Sequence, residues 1–92
     1  MLELKVTSKY KKDRKLMKKQ GKDLSQLTSI IEKLQKQETL DPKHHDHPLQ
    51  GNYIRHRECH INPDWLLIYR IDNEALILTT VRTGSHSDLY KK

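Results

Sequence analysis

The stretch from Tyr53 to Tyr69, YIRHRECHINPDWLLIY, holds two strands and the turn between them. Tyr53 to His60 reads as a strand, and Asn62-Pro63-Asp64 carries turn chemistry. Trp65 to Tyr69 is an unbroken apolar run, as expected of a central strand buried on both faces. Side chains alternate across a strand, so His56, Glu58 and His60 are expected on one face and Arg55, Arg57 and Cys59 on the other. Unpaired charge is costly to bury, so the Glu58 face is expected to line a groove open to solvent. Glu58 and His60 would then lie roughly 7 Å apart at Cα, within reach of a common ligand.

Working outward, Asp72-Asn73 signals a hairpin turn, with an alternating strand over Ala75 to Arg82 behind it. Gly84 should break that strand and leave Ser85 to Tyr90 as a short tail. On the other side, Leu40 to Gly51 is a connector, since two prolines and a glycine oppose regular structure. Before it, Leu24, Leu27, Ile30, Ile31 and Leu34 make one apolar stripe at helical spacing, with Asp23 as N-cap and an end near Gln37 or Glu38. An earlier helix over Ser8 to Gln20 offers only Tyr10, Leu16 and Met17 to a core, and Gly21 suits its left-handed exit. Leu2 to Val6 alternates apolar and charged residues as a half-buried strand does. The order is β-α-α-β-β-β, an α+β chain whose two N-terminal helices form a hairpin and cover one sheet face.

At 92 residues this is one domain over 1–92, with a thin core and no room for a large internal cofactor. The 18 Lys+Arg outweigh the 12 Asp+Glu, and much of the formal +6 is local. Lys5, Lys9, Lys11, Lys12, Arg14, Lys15, Lys18, Lys19 and Lys22 are offset in that span only by Asp13. Such a block attracts a polyanion through counterion release, although a solvated helix face has the same look. The single cysteine, Cys59, excludes an internal disulfide and reads as a small buried hydrophobe, not a nucleophile. No apolar run approaches membrane-spanning length and no signal peptide is evident, so a soluble cytoplasmic protein is expected.

Two chemistries and one inert alternative compete for the histidines. A zinc site needs three or four converging ligands, and the adjacent His44-His45-Asp46-His47 lacks the spacing that supplies them. Exposed loop histidines without a role are the plainest alternative. Phosphodiester cleavage needs a base for a 2′-hydroxyl, an acid for the leaving 5′-oxygen and a cation for the phosphate. His47, His60, Asp64 and His86 can transfer protons, and Arg82 can hold the phosphate. Taken singly, Asp64 also fits a turn cap, Arg82 a strand-end charge and His86 a tail residue.

Three segments taken together, Asp46–Gly51 (DHPLQG), Arg57–Tyr69 (RECHINPDWLLIY) and Arg82–His86 (RTGSH), resemble the YafQ-type toxins of the RelE/ParE toxin–antitoxin superfamily. The resemblance spans essentially the whole chain in length and element order. It implies a small, mostly antiparallel RelE-like sheet packed on the helical hairpin. It also implies a ribosome-dependent endoribonuclease, an mRNA interferase silenced by a cognate antitoxin protein; cleavage without a metal or other cofactor is the mechanism expected here.

By the same resemblance the catalytic positions fall on His47, His60, Asp64 and His86, with Arg82 as the phosphate-binding cation. His86 is the expected general acid, and Asp64 shares the base and orienting roles with His60 or His47. Trp65 follows the aspartate in the same pattern and joins Glu58 and Tyr90 as expected RNA contacts. Glu58 stands where the family often has aspartate, and Tyr90 where it commonly has phenylalanine, with a ring still able to stack on a base. Lys11, Lys12, Lys15 and Lys18 would hold ribosomal RNA. The rivals are a non-enzymatic inhibitor of the ParE branch, which binds DNA gyrase and lacks the histidine set, and an inactive RNA-binding module. His60, Asp64 and His86 together argue against the ParE branch.

Overall fold

A computed structural model describes residues 1–90. Strand β1 (Glu3–Val6) leads into helix α1 (Ser8–Lys19), whose N-cap Thr7 accepts a hydrogen bond from the Tyr10 N–H. Gly21, with φ of +80°, ends α1 in the left-handed conformation that only glycine adopts without strain. Helix α2 (Leu24–Gln35) is capped by Asp23 through the Ser25 N–H and buries Leu27, Ile30, Ile31 and Leu34. It ends two residues before the expected Gln37, which itself takes a left-handed φ of +57°.

Four further strands follow: β2 (His47–Pro48), β3 (Arg57–Asn62), β4 (Trp65–Asp72) and β5 (Ile77–Gly84), then a single helical turn, α3 (His86–Leu89). They form one five-stranded sheet in the order β1-β5-β4-β3-β2, antiparallel except for the parallel β1–β5 pair. β4 is central, and its Trp65 to Tyr69 run is buried on both faces as the sequence predicts. One face carries Cys59, Ile61, Trp65, Leu67, Tyr69 and Leu78 against Tyr10, Met17 and the α2 stripe. The opposite face is smaller, with Leu66 and Ile68 covered by Leu89 and flanked by Leu49, Tyr53, Val81 and Tyr90.

Several boundaries differ from the sequence reading. Tyr53 belongs to a 3-10 turn (Gly51–Tyr53), Arg55 has φ of +70°, and the strand starts only at Arg57, so His56 does not share the Glu58–His60 face. Leu16 is exposed, leaving Tyr10 and Met17 as the buried residues of α1. β5 starts at Ile77 because Asp72 accepts from the Glu74 and Ala75 N–H groups and holds the turn open longer. It also runs through Gly84 instead of breaking there. No helix of the described residues is long and apolar enough to cross a membrane.

Trp65 is fully buried, and its indole N–H donates to Thr83 Oγ1 at 2.8 Å. Thr83 in turn donates to the Leu66 carbonyl at 2.7 Å. The expected contact of Trp65 with RNA is therefore ruled out; it is a core residue whose polar atom is satisfied inside. Thr83→Val keeps the shape but strands the indole N–H, and we expect a loss of about 1–3 kcal/mol in urea unfolding.

Candidate active site

Cross-strand partners in an antiparallel sheet present their side chains on the same face. Register therefore sets His47, Glu58, Ile68 and Arg82 in one row across β2, β3, β4 and β5. A second row, His60, Leu66 and Gly84, lies beside it on the same face, away from the long helices. Gly84 leads directly into α3, where Ser85 and Asp88 form a reciprocal cap. A Cβ at Gly84 would lie 3.3 Å from the Asp88 Cβ, so glycine lets this turn fold back closely over the sheet. The fold-back brings the His86 ring to 6.4 Å from that of His60, centroid to centroid.

Glu58 sits at the centre. Its residue is only 4% exposed, which corrects the expectation of an open, RNA-contacting carboxylate. The Tyr90 hydroxyl donates to Oε1 at 2.5 Å, while Oε2 lies 3.0 Å from His47 Nε2 and 3.9 Å from His60 Nε2. One buried carboxylate thus ties α3, β2 and β3 together. His47 Nδ1 also faces the Pro48 carbonyl at 3.1 Å, so both ring nitrogens meet acceptors. His60 is held differently: its carbonyl contacts His44 Nδ1 at 2.6 Å, and its ring packs edge-on against His45 at 5.4 Å.

Arg82 stands two strands from Glu58, with Ile68 between them, so the two halves are joined across β4 and are not direct neighbours. Asp13 of α1 accepts from Arg82 Nε at 2.6 Å and Nη2 at 3.1 Å, and from the Thr83 N–H at 3.2 Å. That pair raises the guanidinium pKa above its usual value, against a smaller opposing effect of burial. The one acid within the basic N-terminal block is thus spent on Arg82. Asp64 is exposed at the β3–β4 turn, where its N–H donates to Asn62 Oδ1. Among the described residues its carboxylate makes no hydrogen bond or ion pair with the histidines. Lys11, Lys12, Lys15 and Lys18 are all exposed on α1.

Sequence reasoning gave no role to His44, Asp46 or Asp13. His44 is buried under His60, and Asp46 accepts from Tyr69 Oη at 2.6 Å and Arg57 Nε at 3.1 Å, fixing the loop before β2. The signal for Asp46 was its place at the head of the DHPLQG segment; nothing local marked Asp13 beyond its isolation among lysines. Cys59 is buried, and burial above all pushes its thiol up to about 12, which removes it as a nucleophile. The ligand atoms of His47, Glu58 and His60 all lie within 4.8 Å of one another, a set chemically suited to a transition metal.

A five-stranded sheet on two N-terminal helices, with a histidine–carboxylate cluster on its other face, places the chain among RelE-like toxins. Residues 2–91 match the family model of the bacterial toxin of type II toxin–antitoxin systems, YafQ, and the chain belongs to that family. It is 35% identical over 89 residues to the mRNA interferase toxin YafQ of Escherichia coli K12, covering 96% of this chain and 95% of that protein. A crystal structure of a metal-bound toxin from Helicobacter pylori superposes with a TM-score of 0.91 at 43% identity, covering 97% of this chain and 99% of the other. The E. coli DinJ–YafQ toxin–antitoxin complex gives 0.87 at 34% identity, with 97% of both chains covered.

The Tyr90 phenol is pushed above its ordinary value of 10.0 by burial first and then by Glu58. The unfolded chain therefore ionises first as pH rises, and this contribution to stability is full below about pH 10 and is lost progressively as pH rises from there through the raised value. We expect Tyr90→Phe to lower stability by about 1–3 kcal/mol at pH 7. Urea titrations at pH 7 and 10.5 should show the gap between variant and wild type narrowing at the higher pH.

Proposed function

We propose that this protein is an mRNA interferase that cleaves messages in the ribosomal A site. The 2′-hydroxyl attacks the adjacent phosphorus, the base takes its proton, and His86 protonates the departing 5′-oxygen. The products are a 2′,3′-cyclic phosphate and a 5′-hydroxyl, with no metal in the chemical step. The observation that carries the reading is the convergence of His47, His60 and Tyr90 on Glu58, with His86 folded back beside His60. Both ring nitrogens of His47 already face acceptors, which favours His60 as the base and leaves His47 to position Glu58. Arg82, oriented by Asp13, stabilises the charge gained in the transition state. Asp64 assists from the turn once RNA is bound. Exposed lysines of α1 hold ribosomal RNA, and a cognate antitoxin binds the toxin as DinJ binds YafQ in the related complex.

A second reading makes the His47–Glu58–His60 set a metal site. The closeness of its ligand atoms and the metal-bound H. pylori relative favour it. These residues would hold the ion through two imidazoles and a carboxylate, and the ion would supply Lewis-acid chemistry. His47 would then exchange its 3.0 Å contact with Glu58 for the ion.

His86→Ala and Asp64→Ala should each slow cleavage by programmed ribosomes by about 10²–10⁴-fold while keeping the circular dichroism of the wild type. Full activity in both would remove the acid–base assignment. Chelation followed by restoration of magnesium should leave cleavage intact; a strict demand for zinc or copper would favour the metal reading.

A further inference from the structure

Beside the histidine cluster lies an open cleft of about 580 Å³, lined by Gln50, Asn52, Tyr53, Leu89 and Tyr90. No lining side chain carries a formal charge, which is unusual for so basic a chain. The two tyrosine rings stand at 90° with centroids 6.4 Å apart, and both line the cleft. The loop that presents them is closed by backbone hydrogen bonds from Leu49 to His56, Ile54 to Gly51 and His56 to Tyr53. Gln50 and Asn52 are exposed at its rim, and among the described residues their side-chain amides make no hydrogen bond. These amides are therefore free donors and acceptors at the mouth of an aromatic cleft.

We propose that this cleft is a base-recognition subsite, in which one nucleobase next to the scissile phosphate stacks on a tyrosine and is read by Gln50 and Asn52. The proposal rests on the endoribonuclease reading above. An aromatic wall accepts the π-face of any base, whereas an amide, offering both a donor and an acceptor, discriminates between base edges. The neutral lining suits a base and not a phosphate, and the phosphate has its own partner close by. Tyr53 packs against the Leu66 and Ile68 patch, whose Ile68 is the cross-strand partner of Arg82, and Tyr90 packs 5.2 Å from His86. A base held here is flanked on one side by the phosphate cation and on the other by the proposed acid. Gln50 and Asn52 become specificity residues, and Tyr53 a stacking residue, that the histidine pattern did not suggest.

The test compares kcat/KM on ribosomes programmed with four messages differing only in the base beside the cut. Wild type should rank the four bases. Asn52→Ala or Gln50→Ala should cost about tenfold on the favoured base, leave the poorest base within about twofold, and so flatten the ranking. Tyr53→Leu should slow all four by a similar factor of about ten, because stacking is tolerant of sequence. An unchanged ranking in both amide variants overturns the proposal, and if antitoxin binding is lost instead, the cleft is a protein-docking site. Should wild type cut no message, the endoribonuclease reading fails by itself. Titration with the four nucleoside 3′-monophosphates then decides: shifts of the Tyr53, Tyr90 and side-chain amide resonances support a base site, and none at millimolar ligand overturns it.

Discussion

Glu58 keeps its carboxylate below the surface, and everything on the open face of the sheet is arranged around that fact. A buried carboxylate is tolerated only when its oxygens are satisfied. Tyr90 meets one of them, and His47 and His60 approach the other. These contacts come from α3, β2 and β3, so the site assembles only when the whole sheet has its register. Removing the carboxylate would loosen three elements at once, whereas removing any single histidine leaves the other contacts in place.

A second constraint links the opposite side of the molecule to the same chemistry. α1 is bound to β5 through the Asp13–Arg82 pair, so the helix that carries the exposed lysines also orients the cation we propose for the phosphate. Arg82 and Glu58 are separated by Ile68, and this apolar floor, with Leu66 and Leu89, keeps the two charges from neutralising each other. The polar groups stand around a dry base. Asp13 takes Nε and Nη2 of Arg82, and among the described residues Nη1 makes no hydrogen bond.

Most of the architecture was legible because each element carries a periodicity that physics enforces. The α2 stripe, the Trp65–Tyr69 run and the Asp23 and Gly21 punctuation all appear where the sequence puts them. The partnerships of β1 with β5 and of Asp13 with Arg82 join residues some seventy positions apart, and no local signal encodes such pairs. The site was half legible. Alternation correctly set Glu58 and His60 together, but it exposed a carboxylate that the Tyr90 hydroxyl allows to be buried. It also kept His56 on the strand, because the left-handed Arg55 that ends the loop has no marker in its residue type. Trp65, drawn toward RNA by its place after Asp64, is held in the core by the inward parity it shares with Leu67 and Tyr69.

The central claim is that the buried Glu58 carboxylate organises the histidines for cleavage. Glu58→Gln tests it most directly, since the side chain keeps its length and loses the charge that faces His47 and His60. The measurement is single-turnover cleavage of mRNA on programmed ribosomes, made on protein whose folding is checked by its amide spectrum. The account predicts a folded variant that cleaves at least about tenfold more slowly, as expected when a positioned acid–base pair is disturbed. A folded Glu58→Gln protein cleaving at the wild-type rate would contradict it.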